Sequence, residues 1–311
     1  MTNKTIILIT VDTELSTHKE DFGILGNVGG KKYGLPKFLE VLKAKNMKAT
    51  FFIDVYSSRA KHLPLMRSLC EELKSADHDL QLHTHPDGIF DPQRGQMQQY
   101  SLKDQIEIIR KGKQLFEEWF RQTPMVHRAG DWGANADTLE ALIANNILCD
   151  SSMFHSWHHC GLNQAPFTRN RIARYKSLTE IPATCYQTPC VGIFHPIRLL
   201  STDGNSLAET IELIKKVHLS GAGFVNLVYH SFSFLRWNKT RTEYGFDRNR
   251  LVKFEGLLDF LNANESFEVK TIKELFYLTQ ENDAWFQKPD VITANDLGAT
   301  ALRLIDRLKG N

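Results

Sequence analysis

The chain has 311 residues, of which 42% are hydrophobic and 24% are charged, a mixture typical of a globular protein with a large core. The formal net charge of +2 is too small to indicate a nucleic acid or an anionic membrane surface as partner. No segment approaches the roughly 20 apolar residues that cross a bilayer, and the first apolar run is too short for a signal peptide, so we expect a cytoplasmic protein. Five cysteines without a C-x-x-C pair predict reduced thiols.

Strand-like and helix-like patterns alternate along most of the chain. Short apolar runs predict buried strands over Ile6–Val11, Lys48–Ile53, Asp79–His83, Met125–His127, Ile147–Cys149 and Gly223–Tyr229. Amphipathic periodicity predicts helices over Leu35–Lys45, Leu63–Lys74, Leu102–Arg121, Ala136–Ala144, Leu207–Leu219 and Leu251–Ala263. Such alternation is typical of an α/β protein whose parallel strands are joined by helical crossovers, in a barrel or in a doubly wound sheet.

Two stretches depart from this alternation. Residues 152–197 contain four prolines and no clear helical period, and we interpret them as a loop-rich insertion that forms a wall of the substrate cleft. Residues 283–311 are predicted to form a C-terminal helical extension, with a last helix over Val291–Lys309. Because the sequence shows no obvious linker and no internal repeat, we expect a single domain over residues 1–311.

Side chains able to bind a metal follow the first and third predicted strands. Asp12 and Glu14 come directly after the first strand, and His83 and His85 lie at the end of the third. Since alternate side chains of an extended backbone share a face, each pair can point at one spot. Two carboxylates beside two imidazoles indicate a hydrolytic site with a divalent metal, zinc before cobalt, nickel or manganese. The competing interpretation is that one acid caps a helix or pairs with a lysine.

Three further strand ends carry polar residues: Arg128, Asp150 and His230. An arginine with small neighbours can approach a carboxylate closely and hold it ionised through paired hydrogen bonds, although a surface position is the alternative. The glycines between residues 23 and 34 match neither the Walker pattern nor the dinucleotide fingerprint, so we rank a phosphate-binding module last. Five strand ends that each offer a chemically able residue favour an active site.

Taken in chain order, these strand ends resemble the motifs of the polysaccharide deacetylases of the NodB-homology group, which form carbohydrate esterase family four. The segments that carry the resemblance are Thr10–Glu14, Lys48–Phe52, His83–Pro86, His127–Gly130, Asp150–Ser152 and Leu227–His230. The resemblance implies a distorted (β/α) barrel with about seven parallel strands. It also implies hydrolysis of an N-acetyl group on an amino sugar.

The resemblance further implies roles for single residues. Asp12 would be the general base, and Arg128 would orient it. His230 would be the general acid, with Asp150 as the partner of its imidazole. His83 would be a metal ligand.

Two positions depart from the family pattern. Thr13 stands where the family has its metal-binding aspartate, so we predict that Glu14 supplies the carboxylate. The family's second histidine falls at the position of Asp87, and we predict His85 as the ligand instead because it keeps the histidine–proline pair. The predicted metal ligands are therefore Glu14, His83 and His85.

Together these features predict a metal-dependent hydrolase acting on linear amide C–N bonds. Its expected substrate is an acetylated amino sugar in a glycan or in a lipid-linked or nucleotide-linked precursor, as in surface-polysaccharide or lipopolysaccharide biosynthesis. Two alternatives stay open. One is a metal-independent hydrolase of another C–N bond in a small amide or ureide, and the other is a non-catalytic carbohydrate-binding module.

Overall fold

The structure is a computed structural model that describes residues 4–14, 23–56, 71–164, 166–188, 196–240 and 242–290, together with residues 68 and 298. Its strands, in chain order, are β1 (Thr5–Thr13), β2 (Asn27–Val28), β3 (Lys31–Lys32), β4 (Thr50–Asp54), β5 (Asp79–Thr84), β6 (Val126–Ala129), β7 (Cys149–Asp150), β8 (Ala173–Tyr175), β9 (Leu178–Glu180), β10 (Cys185–Gln187), β11 (Ile197–Leu199), β12 (Phe224–His230), β13 (Leu235–Trp237), β14 (Tyr244–Phe246) and β15 (Phe267–Lys270). Its longer α-helices are α1 (Leu35–Ala44), α2 (Leu102–Phe120), α3 (Ala136–Ala144), α4 (Leu207–Ser220), α5 (Arg248–Asn262) and α6 (Ile272–Glu281).

Nine of these strands form one curled sheet in the order β12-β1-β4-β5-β6-β7-β9-β8, with β15 beside β1. Every neighbouring pair is parallel except β8 and β9. The sheet curls back on itself where the backbone N–H of Thr184 donates to the carbonyl of Asn226 in β12, at 3.1 Å. The predicted distorted α/β barrel is confirmed.

The central strand β1 shows how the sequence produces both the core and the site. All nine of its residues are buried, as expected for a parallel strand covered on both faces. Ile7 and Ile9 face the helices, whereas Leu8 packs against Phe52 inside the barrel, together with side chains of α6. Because side chains alternate along a strand, Asp12 follows Leu8 on the inner face and opens into the barrel mouth.

Some elements differ from the predictions. Residues 152–197 are rich in loops, but β9 within them is a strand of the main sheet, parallel to β7. The strand β15 and the helix α6 were not predicted. Most of the predicted helix Leu63–Lys74 and nearly all of the predicted helix Val291–Lys309 lie outside the described residues.

The described residues bear on the predictions about the cysteines and about membrane spans. Cys149, Cys160 and Cys185 are free, buried thiols, as predicted, whereas Cys70 and Cys190 lie outside the described residues. None of the described helices is long and apolar enough to cross a membrane.

Candidate active site

The polar strand ends meet at the carboxyl edge of the sheet, where barrel folds of this class place their active sites. Asp12 in β1 lies opposite His230 in β12, and His83 in β5 lies opposite Arg128 in β6. Glu14 continues the inner face of β1 by one step. The structure therefore brings all five of these predicted residues to one mouth.

The predicted metal ligands form a compact cluster. One oxygen of Glu14, Oε1, lies 2.9 Å from Nε2 of His83 and 3.1 Å from Nε2 of His85. The three ligand atoms lie within 4.8 Å of one another. His83 is buried, whereas the side chains of Glu14 and His85 are 20% and 26% exposed, so the cluster borders the open mouth.

The tautomer of His83 tests whether this cluster fits a cation. Its Nδ1 lies 2.8 Å from the carbonyl oxygen of Arg128, which can only accept, so Nδ1 carries a hydrogen. A neutral ring would then present the lone pair of Nε2 to the Glu14 carboxylate. A proton or a metal ion must lie between the two groups to make that contact favourable. The residues present therefore fit a divalent metal.

The electrostatics of Glu14 and His85 agree with that requirement. Burial by itself raises the pKa of Glu14, but the charge of His85 and hydrogen bonds from His83 and His85 hold it well below its usual range. Burial likewise lowers the pKa of His85, yet the Glu14 carboxylate outweighs this and raises it to about 10. Positive charge is stabilised at this position.

Glycine at residue 130 makes room for the second histidine. A Cβ added to Gly130 would lie 2.5 Å from Nδ1 and Cε1 of the His85 ring. The alternative ligand Asp87 lies instead beside Gly95 and is in neither metal-binding group found among the described residues. Thr13 is buried, and its hydroxyl hydrogen-bonds to the backbone of Val11. The shortened histidine motif therefore keeps two imidazoles at the site.

The predicted base is held by a buried arginine. Nη1 of Arg128 donates to Oδ1 of Asp12 at 2.6 Å, and the arginine is fully buried. Its Nη2 donates to the hydroxyl of Thr10 at 3.0 Å and to the hydroxyl of Ser151 at 3.1 Å. Its Nε donates to the carbonyl of Ser151, also at 3.1 Å. The guanidinium also lies 4.1 Å from the centre of the Phe52 ring. With its donors shared in this way, Arg128 fixes the orientation of Asp12.

Asp150 does not take the predicted place beside His230. Its Oδ1 accepts hydrogen bonds from Nδ1 of His127 and from the hydroxyl of Ser152, both at 2.8 Å. Side-chain alternation explains this difference. Asp150 pairs in register with His127, and the side chain of His127 lies on the opposite face of β6 from that of Arg128. The prediction of Asp150 as the partner of the general acid is therefore wrong.

Asp203 is the acid that sequence reasoning missed. The hydroxyl of Ser233 donates to Oδ2 of Asp203 and accepts from the backbone N–H of His230, the latter at 3.0 Å. Burial raises the pKa of Asp203, while the positive charges of Arg250 and His230 act to lower it. In the sequence Asp203 lies four residues after the end of β11 and precedes a glycine, so it carries no strand-end signal of the kind that the other site residues have.

Aromatic side chains line the mouth next to Arg128. Trp132 lies with its ring centre 5.1 Å from the guanidinium and packs against Phe154. Phe154 stacks in turn on Trp157, whose Nε1 donates to the carbonyl of Asp131 at 3.0 Å. These residues form an apolar surface next to the charged residues of the site.

Comparisons with known proteins agree with this geometry. Residues 2–147 match the sequence model of the family described as polysaccharide deacetylase. Among solved structures, a protein from Mycobacterium smegmatis that is assigned to the polysaccharide deacetylases is 18% identical, with a TM-score of 0.60 over 95% of this chain and 96% of that one. The PuuE allantoinase is 11% identical, with a TM-score of 0.57 over 89% of this chain and 90% of that one. None of the curated proteins matches the chain in sequence.

The family match indicates a hydrolase of amide C–N bonds. Residues 2–147 match the polysaccharide deacetylase family, which confirms the resemblance to the NodB-homology group. The matched region contains Asp12, Arg128 and the metal-binding cluster, whereas His230 lies beyond it. At identities of 18% and 11%, the two solved structures establish a shared fold and no more.

Proposed function

We propose that this protein is a metal-dependent enzyme that removes the N-acetyl group from an amino sugar of a polysaccharide or of its precursor. One observation carries the proposal: a held carboxylate, an imidazole and a metal-binding cluster share a single pocket. Ligand atoms of Asp12, Glu14 and His230 lie within 4.8 Å of one another. Glu14 also belongs to the cluster with His83 and His85. That spacing suits one small amide group.

Glu14, His83 and His85 would hold the metal. One carboxylate and two imidazoles are a donor set of catalytic zinc, which keeps a position open for substrate or water. When bound, the cation supplies Lewis-acid polarisation of the acetyl carbonyl. The hydrogen bond from His83 to the carbonyl of Arg128 would keep Nε2 directed at the metal.

The remaining residues would move protons. Arg128 occupies Oδ1 of Asp12, so Oδ2 is the oxygen that would accept a proton from the attacking water. His230, across the register from Asp12, would donate a proton to the nitrogen of the leaving amine. Asp203, linked through Ser233 to the backbone N–H of His230, would help to hold that residue in position.

A release assay tests the proposal. Purified protein reloaded with zinc should release acetate from N-acetylated oligosaccharides or peptidoglycan fragments and should lose this activity on chelation. Asp12→Asn should lower the rate by about 100- to 10,000-fold. Asp87→Asn, the matched control outside the cluster, should leave it near the wild-type value. Sugar binding without any acetate release would contradict the proposal and favour the carbohydrate-binding alternative.

Hydrolysis of a small ureide is the second candidate function. The similarity in fold to an allantoinase, over most of both chains, favours it. The same preparations should therefore be tested with allantoin and with simple amides. Ureide hydrolysis that resists chelation, without acetate release from any saccharide, would select this second candidate.

A further inference from the structure

We infer that the pocket contains a second position for a divalent cation, formed by Asp12, Glu14 and His230, and that a cation bound there inhibits the enzyme. One ligand atom of each residue lies within 4.8 Å of the other two. The group shares only Glu14 with the cluster that contains His83 and His85. The two groups therefore have one carboxylate in common and are otherwise formed by different residues.

Each of the three residues is held in place and still has an unengaged ligand atom. Arg128 binds Oδ1 of Asp12, and no other described residue donates to Oδ2. Both histidines of the first cluster contact Oε1 of Glu14, and Oε2 has no hydrogen-bond partner within the described ranges. The ring of His230 stacks on Phe232 with its centre 4.9 Å away, and no described residue hydrogen-bonds to its nitrogens.

The second position also contains two carboxyl groups. Asp12 is only 3% exposed, and it lies with Glu14 in the same small pocket. Asp203 adds a carboxyl group behind His230, and Arg128 is the single buried cation that is hydrogen-bonded to Asp12 among the described residues. In two-metal sites, a shared carboxylate commonly bridges ions that are about 3.5 to 4 Å apart. Glu14, which is one carbon longer than the aspartate of the family pattern, is suited to bridging in this way.

A cation bound at this position would block both of the groups that transfer protons. A cation bound to Oδ2 of Asp12 would block its function as a base, and a cation on the His230 imidazole would displace the proton to be transferred. The inhibition therefore rests on the proposed function, whereas the existence of the second binding position does not.

Equilibrium dialysis of the metal-free protein against zinc chloride tests the second position directly. Wild-type protein should bind two ions, one tightly and one more weakly, and His230→Ala and Asp12→Asn should each keep the tight ion and weaken the second at least tenfold. His85→Ala should weaken the tight ion instead. His158→Ala, which removes an exposed histidine outside both groups, should bind two ions. Circular dichroism confirms that each variant is folded.

The second readout is activity against zinc concentration. Acetate release by wild-type protein should rise to one equivalent of zinc and then fall at least tenfold, with half-inhibition at the dissociation constant of the second ion. A single bound ion up to millimolar zinc, or a second ion unaffected in both His230→Ala and Asp12→Asn, would overturn the inference. If no saccharide is deacetylated, the proposed function fails, and the dialysis result still decides whether the second position exists.

Discussion

Adding one methyl group at Gly130 should displace His85, the proposed metal ligand. The new Cβ would lie 2.5 Å from two atoms of the His85 ring, whereas carbon atoms in contact are normally about 3.5 to 4.0 Å apart. The ring must therefore move by about 1 Å. The backbone has little freedom to yield, because Asp131 and Trp132 already have φ values of 51° and 58°, which non-glycine residues seldom adopt.

We expect Gly130→Ala to weaken zinc binding by about 10- to 100-fold. At limiting zinc the rate of acetate release should fall by about 100-fold, because a displacement of this size in a catalytic group has that effect. Competition with a chromophoric zinc chelator measures the affinity. Gly245→Ala is the matched control, since its Cβ would meet no atom within 4 Å. Wild-type zinc affinity in folded Gly130→Ala would refute the assignment of His85 as a ligand.

Three further outcomes follow from the charges around the pocket. Because the pKa of His85 is raised to about 10, zinc binding at pH 7.5 should release at least one proton. Calorimetry in buffers of different ionisation enthalpy measures this release, and no release would contradict the shift. The same shift contributes stability to the metal-free protein that is fully present below about pH 6.5. This contribution is lost, and the Tm should fall, as the pH rises through about 10. Arg128→Met should lower the free energy of unfolding by about 3 to 5 kcal/mol, because it leaves Asp12 buried without its cation. Urea denaturation measures this loss, and a smaller loss would show that Asp12 is well solvated.

The strands that could be predicted from the sequence were the long ones that are buried on both faces. The strands β1 and β4 were predicted because each contains a continuous apolar run that is buried on both faces. By contrast, β9 has the three residues Leu178–Glu180, and β15 pairs only with the first half of β1. Strands this short are stabilised by their neighbours in the sheet, so their own sequence carries little signal.

The predictability of the site depended on side-chain alternation. Glu14 and His85 lie two residues from Asp12 and His83, and the alternation of an extended chain was enough to predict that each pair converges. The role of Asp150 was implied by the resemblance alone, and a motif does not show which face of a strand a side chain occupies. Asp203 comes from a loop positioned by a hydrogen bond to Ser233, thirty residues along the chain, and such a contact cannot be derived from local periodicity.

The residues on the opposite face of these strands explain why the pocket can be so well ordered. Nε2 of His127 lies 2.9 Å from the hydroxyl of Thr84, and its Nδ1 donates to Asp150, which links the ends of β5, β6 and β7. Ser152 adds a hydrogen bond from the backbone N–H of Ala129, at 2.8 Å. Burial, and then the charge of Asp150, raise the pKa of Glu180 well above its usual range. Because His83 and Arg128 are direct neighbours of these residues in the chain, this buried network restrains their positions, although none of its members reaches the pocket.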